Sequence, residues 1–130
     1  TLLFWRKEYQ PDSGGSGRYR GGLGQVIEIE NAIGQDMELL AAFDRIDFPA
    51  RGRAGGADGA AGRVALKQNG ELQGKGCQHI PAGDRLIINT PGGGGFGPAS
   101  ERDRKSVRED LTNGIISHRA AVGDYALTDG

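Results

Sequence analysis

Glycine constrains this chain more than any other feature. There are 24 glycines among 130 residues, against a typical usage of roughly 7%. They cluster rather than repeat. Six lie in "DSGGSGRYRGGLGQ", Asp12 to Gln25, several more in "PARGRAGGADGAAG", Pro49 to Gly62, and four in a row at Gly92 to Gly95. Neither a collagen period nor a flexible linker accounts for this arrangement. Each cluster marks backbone that needs positive φ, a tight turn, or an approach closer than a Cβ allows. What remains supports a modest core, because Leu, Ile, Val and Phe total only 27. A net charge of -1 nevertheless lacks the repulsion that accompanies disorder. The expectation is one domain spanning residues 1–130.

Charge and hydropathy narrow the function classes. Sixteen basic and seventeen acidic residues, with no basic stripe and no interleaved aromatics, argue against a nucleic-acid surface. The apolar runs around "LLFW" and "LIIN" fall far short of the ~20 residues of a membrane helix. A lone Cys77 rules out an internal disulfide. Cys77-x-His79 is a weak metal signal, and an edge-of-strand pair is the commoner meaning of that spacing. The strand-like opening "TLLFWRKEY" reads as a piece cut from a longer polypeptide, with no secretory signal and a cytoplasmic location expected.

Periodicity predicts a mainly β (α+β) domain: antiparallel hairpins in a twisted sheet or partly closed barrel, with two short C-terminal helices. "LLFWRKEY" reads as a strand stopped by Pro11 and Asp12. In "LGQVIEIEN", Ile27 and Ile29 point one way and Glu28 and Glu30 the other, giving one wet face. "MELLAAFD" places Met37, Leu39, Ala41 and Phe43 on one side, and an antiparallel pair with the preceding strand is expected. Pro49 to Gly62 is a long loop, packed on something else or mobile. Asn69-Gly70 signals a hairpin; with Gly70 in a left-handed bulge, Leu66 would oppose Leu72 and Lys67 would oppose Glu71. Leu86, Ile87 and Ile88 in succession mark a central strand. Asp103 caps a helix carrying Val107 and Leu111 and stopped by Gly114, and Ser117 starts a second helix that ends near Gly123.

Several residues carry candidate chemistry. Gly92, Gly93, Gly94 and Gly95 could offer backbone N–H groups to an anion, but the spacing matches neither the phosphate loop nor the dinucleotide fingerprint. A crossing too crowded for side chains is the stronger reading; if the glycine clusters let backbones approach at a subunit interface, the chain is an assembly module with its chemistry upstream. At strand spacing Arg18 and Arg20 project from one face, suited to a carboxylate or phosphate; the alternative is an internal ion pair with Asp12, Glu28 or Glu30. Ser13 lacks a nearby histidine to act as its base, so a serine nucleophile is disfavoured. His118 reads as a surface or cap residue, and Glu28 with Glu30 as a solvated strand face rather than paired catalytic carboxylates.

The order of these blocks resembles the C-terminal part of the hydantoinase B/5-oxoprolinase family. "PDSGGSGRYRGGLGQ", "RAGGADG", "AGDRLIINTPGGGGFGPASERD" and "VREDLTNGIISHRAAVGDY" carry the resemblance from Pro11 to Tyr125. It implies a C-terminal fragment of a longer hydantoinase B-like subunit, inactive alone, within an ATP-dependent enzyme that opens a cyclic amide such as a hydantoin or 5-oxoproline. It implies ATP and Mg held by a hydantoinase A-like partner subunit. A carboxylase branch acting on ketones carries a metal in the equivalent subunit, with ligands upstream of this span. The family motif covers Asp12, Ser13, Gly14, Gly15, Gly17, Arg18, Tyr19, Arg20, Gly21 and Gly22, and then Thr90 to Gly95. Arg18, Arg20 and Asp12 are the candidate substrate- or anion-binding set, and Gly14, Gly15, Gly21, Gly22 and Gly92 to Gly95 the candidate structural loops. "ARGRAGGADG" and "YALTDG" depart from the usual family pattern.

Overall fold

In the computed structural model, residues 1–128 are described. Seven strands come in the order β1 (Leu2–Tyr9), β2 (Gln25–Asn31), β3 (Met37–Ala42), β4 (Arg63–Leu66), β5 (Gly70–Glu71), β6 (Lys75–Ile80) and β7 (Leu86–Asn89). A 3-10 turn at Ala99–Glu101 and two helices, α1 (Arg104–Thr112) and α2 (His118–Gly123), follow. Five strands form one antiparallel sheet in the order β1-β2-β7-β4-β5, and β3 and β6 form a separate two-stranded ribbon. The sheets do not close. β7 is the middle strand, as its three consecutive aliphatic residues predict.

The expected β2–β3 pair does not form. Both edges of β2 are occupied, by β1 and β7, so β3 leaves the sheet and pairs with β6 from Met37↔Ile80 to Ala42↔Lys75. The shared face predicted for "MELLAAFD" survives. Met37, Leu39 and Phe43 pack with Ile46, Leu72 and Ile88 around buried Val64, Leu66, Ile80 and Leu86.

The hairpin register also differs. Leu66 opposes Gly70 and Ala65 opposes Glu71, which makes Lys67, Gln68 and Asn69 the turn. Buried Asp84 decides this, accepting from the Gln68 N–H at 3.1 Å and the Asn69 amide at 2.7 Å. Glu71 then pairs with Arg63, and Lys67 reaches Glu28 instead. Gly70 has φ +86°, the left-handed conformation anticipated.

The helices form where their caps predict. Asp103 accepts from the Ser106 N–H at 2.9 Å and Ser117 from the Ala120 N–H at 3.1 Å. Gly114, at φ +70°, reverses the chain between them. Neither helix is long enough to stand alone. Val107 of α1 and Ala121 of α2 gather with Ile116, Tyr125 and Leu127 from the segments flanking α2 into a second buried cluster. No helix among the described residues is long and apolar enough to cross a membrane.

Candidate functional site

The three glycine-rich segments converge. Residues 12–24, 50–62 and 90–97 lie against one another largely through backbone, and at many of the glycines the contacts leave no room for a side chain. A Cβ on Gly92 would sit 1.7 Å from the Ser13 carbonyl oxygen, and one on Gly21 2.0 Å from the Gly93 oxygen. Gly14, Gly15, Gly94 and Gly95 are blocked in the same way by backbone oxygens. Gly93 is tight rather than blocked, with the Gly22 nitrogen 3.1 Å from its Cβ position, and Gly22 faces open space.

Hydrogen bonds knit the same segments. Gly15 N–H donates to Gly93 O, Gly93 N–H to Gly22 O, Gly92 N–H to Ala60 O, Ala60 N–H to Ser13 O, and Gly95 N–H to Ala57 O, all within 2.8 to 3.0 Å. The N–H groups of Gly92, Gly93 and Gly95 are therefore engaged by carbonyls and not aimed at a ligand. The long Pro49–Gly62 loop is packed here. Buried Ser13 completes the junction. Its hydroxyl donates to Gln10 O at 2.6 Å and accepts from the Gly24 N–H at 2.8 Å, a bridging arrangement in which the oxygen is held by backbone on both sides.

Asp12, Arg18 and Arg20 leave this junction in different directions. Asp12, at φ 62°, accepts from the Ser117 N–H at 2.7 Å and so ties the loop to the start of α2. Arg20 reaches α1, where its Nε lies 3.1 Å from Asp110 Oδ2. Arg102 Nη2 meets the same oxygen at 2.9 Å. Both bonds are charge-assisted and nearly dry, with Asp110 9%, Arg102 14% and Arg20 18% exposed, so they are stronger than surface pairs. Arg18 is more than half exposed. It lies 3.9 Å from Glu101 and stacks 5.5 Å from the Tyr19 ring centre. The partners weighed from sequence, Asp12, Glu28 and Glu30, are not the ones used.

Sequence reasoning missed Asp110 and Arg102, which sit on an unremarkable helix face and just ahead of it. No spacing signal links them to Arg20, 90 residues away from Asp110. Beside them Tyr125 is 1% exposed, and neither its hydroxyl nor Arg102 Nε finds a partner among the described residues. Burial pushes the Tyr125 phenol up.

A second missed network covers the opposite side of the sheet. Glu28 was expected on a wet face; it is buried, 2.8 Å from Arg85 and 2.9 Å from Lys67. Those two cations hold its carboxyl below the usual carboxylate range. Glu30 is 3.3 Å from Arg85 and accepts from the Trp5 indole at 2.6 Å, while the Arg85 guanidinium lies 3.7 Å over the Trp5 ring. Cross-strand register explains the burial. Glu28 opposes Ile87, which opposes Ala65, so Arg85 and Lys67, two residues along from these and flanking β7 and β4, fall on the face Glu28 occupies.

On the β3–β6 ribbon, Cys77 Sγ and His79 Nδ1 both approach Glu38, at 3.3 and 3.0 Å. The Glu38 bond raises the pKa of both groups. All three are exposed, and no set of three or more His, Cys, Asp or Glu side chains among the described residues is placed to hold a metal ion. His118 is exposed in the first turn of α2. A depression of about 540 Å³ lies between residues 43–48 and 72–75, away from the candidate set. Asp12 lines a separate one of about 370 Å³ with Arg119 and Asp124, which neither Arg18 nor Arg20 lines.

Fold and junction define a class: an open antiparallel β domain locked by interleaved glycine segments, with a helical pair docked on the lock. The family model for hydantoinase B/oxoprolinase matches residues 1–99, and the chain belongs to that family. An uncharacterized protein of Methanocaldococcus jannaschii is 40% identical over 129 residues, covering 97% of this chain and 23% of that protein. The caprolactamase β subunit of Pseudomonas jessenii is 30% identical, again over 97% of this chain and 23% of the relative. The crystal structure of the ATP-dependent caprolactamase from that organism superposes with a TM-score of 0.73 at 27% identity, over 99% of this chain and 24% of the other. 5-Oxoprolinase 1 of Arabidopsis thaliana is 40% identical over 74% of this chain and 8% of its own length. The chain thus spans about a quarter or less of the length of these relatives.

Proposed function

We propose that this chain is one segment of a longer subunit in a cytoplasmic, ATP-dependent hydrolase of cyclic amides. The observation that supports this best is the likeness to caprolactamase, which runs through nearly the whole chain in both sequence and fold. In this reading the glycine-knit junction is a rigid scaffold. ATP and Mg belong to a partner subunit of the hydantoinase A type, and activation of the amide carbonyl takes place outside this chain. Arg18 is the cation of the candidate set more open to an anion: it is over half exposed and 3.9 Å from Glu101, whereas Arg20 is held by Asp110 at 3.1 Å. A guanidinium beside a fixed backbone suits a carboxylate or phosphate oxygen.

The test uses the complete subunit with its ATP-binding partner, offered 5-oxoproline, hydantoin and caprolactam, with ATP cleavage and ring opening read together. Coupled turnover of at least one substrate is expected. Arg18→Ala should lower kcat/KM more than tenfold while the complex still elutes intact. ATP cleavage that requires bicarbonate and a ketone would replace the hydrolase reading with the carboxylase one, and unchanged kinetics in Arg18→Ala would remove that residue from the site.

A further inference from the structure

β1 is the least covered element of the fold. All eight of its residues are exposed, among them Leu2 at 54%, Phe4 at 55% and Tyr9 at 67%, although it is hydrogen-bonded along its length to β2. As an outer strand of the sheet it also presents a free row of backbone donors and acceptors. Long apolar edges of this kind are normally paired or covered.

The two faces of β1 differ. Directly opposed residues in an antiparallel pair project to the same side. Phe4 opposes Ile29, which opposes Leu86, which opposes Leu66; Lys7 opposes Ile27, which opposes Ile88 and then Val64. One continuous apolar face therefore runs from Val64 and Leu66 across to Phe4. The β3–β6 ribbon covers its far end, where Leu66, Leu86 and Val64 are buried with Ile80. The cover stops short of β1, leaving Leu2 and Phe4 open and Ile27 and Ile29 half-buried. The other face is polar over most of β1, since Trp5 is bonded to Glu30 and stacked by Arg85, and Arg6 pairs with Glu8, with Leu3 its apolar residue.

We propose that the open end of this apolar face, together with the free edge of β1, seats the part of the hydantoinase B/oxoprolinase polypeptide that lies outside the span matched here. The inference rests on the reading of this chain as a segment of a longer subunit. Two observations select that occupant. The family match includes β1 from residue 1 onward, so the strand belongs to the shared pattern, and about three-quarters of the length of these relatives lies outside the span they share with this chain. The surface calls for an apolar strand or layer that continues the existing core rather than for a charged ligand.

The experiment compares one pair of substitutions in two settings. Leu2→Asp with Phe4→Asp is made in this chain alone and in a chimera where this chain replaces the aligned stretch of the Pseudomonas jessenii caprolactamase β subunit. In the isolated chain both side chains are exposed, so the melting temperature should move by less than about 2 °C, while binding of a hydrophobic dye falls. In the chimera the same pair should lower the melting temperature by about 5 °C or more or drive the protein into aggregates, because two carboxylates would enter an apolar interface. Leu40→Asp, at a position 82% exposed on the β3–β6 ribbon, should be neutral in both. Equal effects in the two settings, dye binding unmoved by the pair, or a chimera that does not fold with this chain in place would overturn the proposal. So would a concentration-dependent dimer of the isolated chain, seen by sedimentation and abolished by the pair, since it would make a second copy the occupant. No enzymatic activity is measured, so failure here is separable from failure of the hydrolase reading.

Discussion

Replacing Gly92 by alanine tests whether the junction is as tight as its geometry implies. The new Cβ would lie 1.7 Å from the Ser13 carbonyl oxygen, and ordinary contact requires a retreat of roughly 1.5 Å or more. Neither group moves freely. Ser13 O accepts from Ala60 N–H at 2.8 Å, and Gly92 N–H donates to Ala60 O at 3.0 Å, so drawing either segment back breaks its bond to Ala60 and leaves a donor and an acceptor unpaired. Each buried group left without a partner costs about 1–3 kcal/mol, which places the substitution near 4 kcal/mol against a typical total stability of about 5–15 kcal/mol. Gly22→Ala is the internal control. Its Cβ meets nothing within 4 Å, so loss of unfolded-state freedom should stabilise by about 0.5 kcal/mol. Urea unfolding of the two variants, compared at equal m, reads the difference directly. A Gly92→Ala variant within about 1 kcal/mol of the parent, or a Gly22→Ala variant as damaged as Gly92→Ala, would refute the backbone-crowding argument.

Further expectations follow from the polar contacts. Asp110→Asn removes the charge between Arg20 and Arg102 and should cost about 2–4 kcal/mol; a melting temperature equal to the parent's would show that the two arginines do not need it. The Glu28 carboxyl is held down in the folded chain by Arg85 and Lys67, so its contribution is present above the ordinary glutamate value and is lost as pH falls below about 4.3. Glu28→Gln should be less stable at pH 7 and show a flatter acid limb; parallel profiles between pH 6 and 3 would count against this pairing. Asp12→Ala should cost about 1 kcal/mol by orphaning the Ser117 N–H, with hydrogen exchange rising at the start of α2. Exchange confined to β1 would point elsewhere.

Local rules made part of this architecture legible. Alternation placed β2 and the apolar side of β3, and three consecutive aliphatic residues marked β7 as central. Asp103, Gly114 and Ser117 announced the helix ends because a cap is satisfied within four residues of itself. Strand partners were another matter. Nothing inside "MELLAAFD" says that both edges of β2 are taken, and nothing inside "QNGEL" says that Asp84, fifteen residues away from Asn69, will fix the turn. The β2–β3 pair and the Leu66–Leu72 register therefore read plausibly and were wrong.

The candidate site divides in the same way. The sequence by itself determined that this backbone must come close to something at Asp12–Gln25, Pro49–Gly62 and Gly92–Gly95, since clustered glycine has few other uses, and the order of those blocks carried the family. Only the tertiary structure decided that the three segments meet one another, that Arg20 belongs to Asp110 and Asp12 to the start of α2, and that Glu28 is buried beneath Arg85 and Lys67. Propensity and periodicity act over a few residues along the chain, whereas a charge is neutralised by whatever the fold brings within about 4 Å, at any sequence distance.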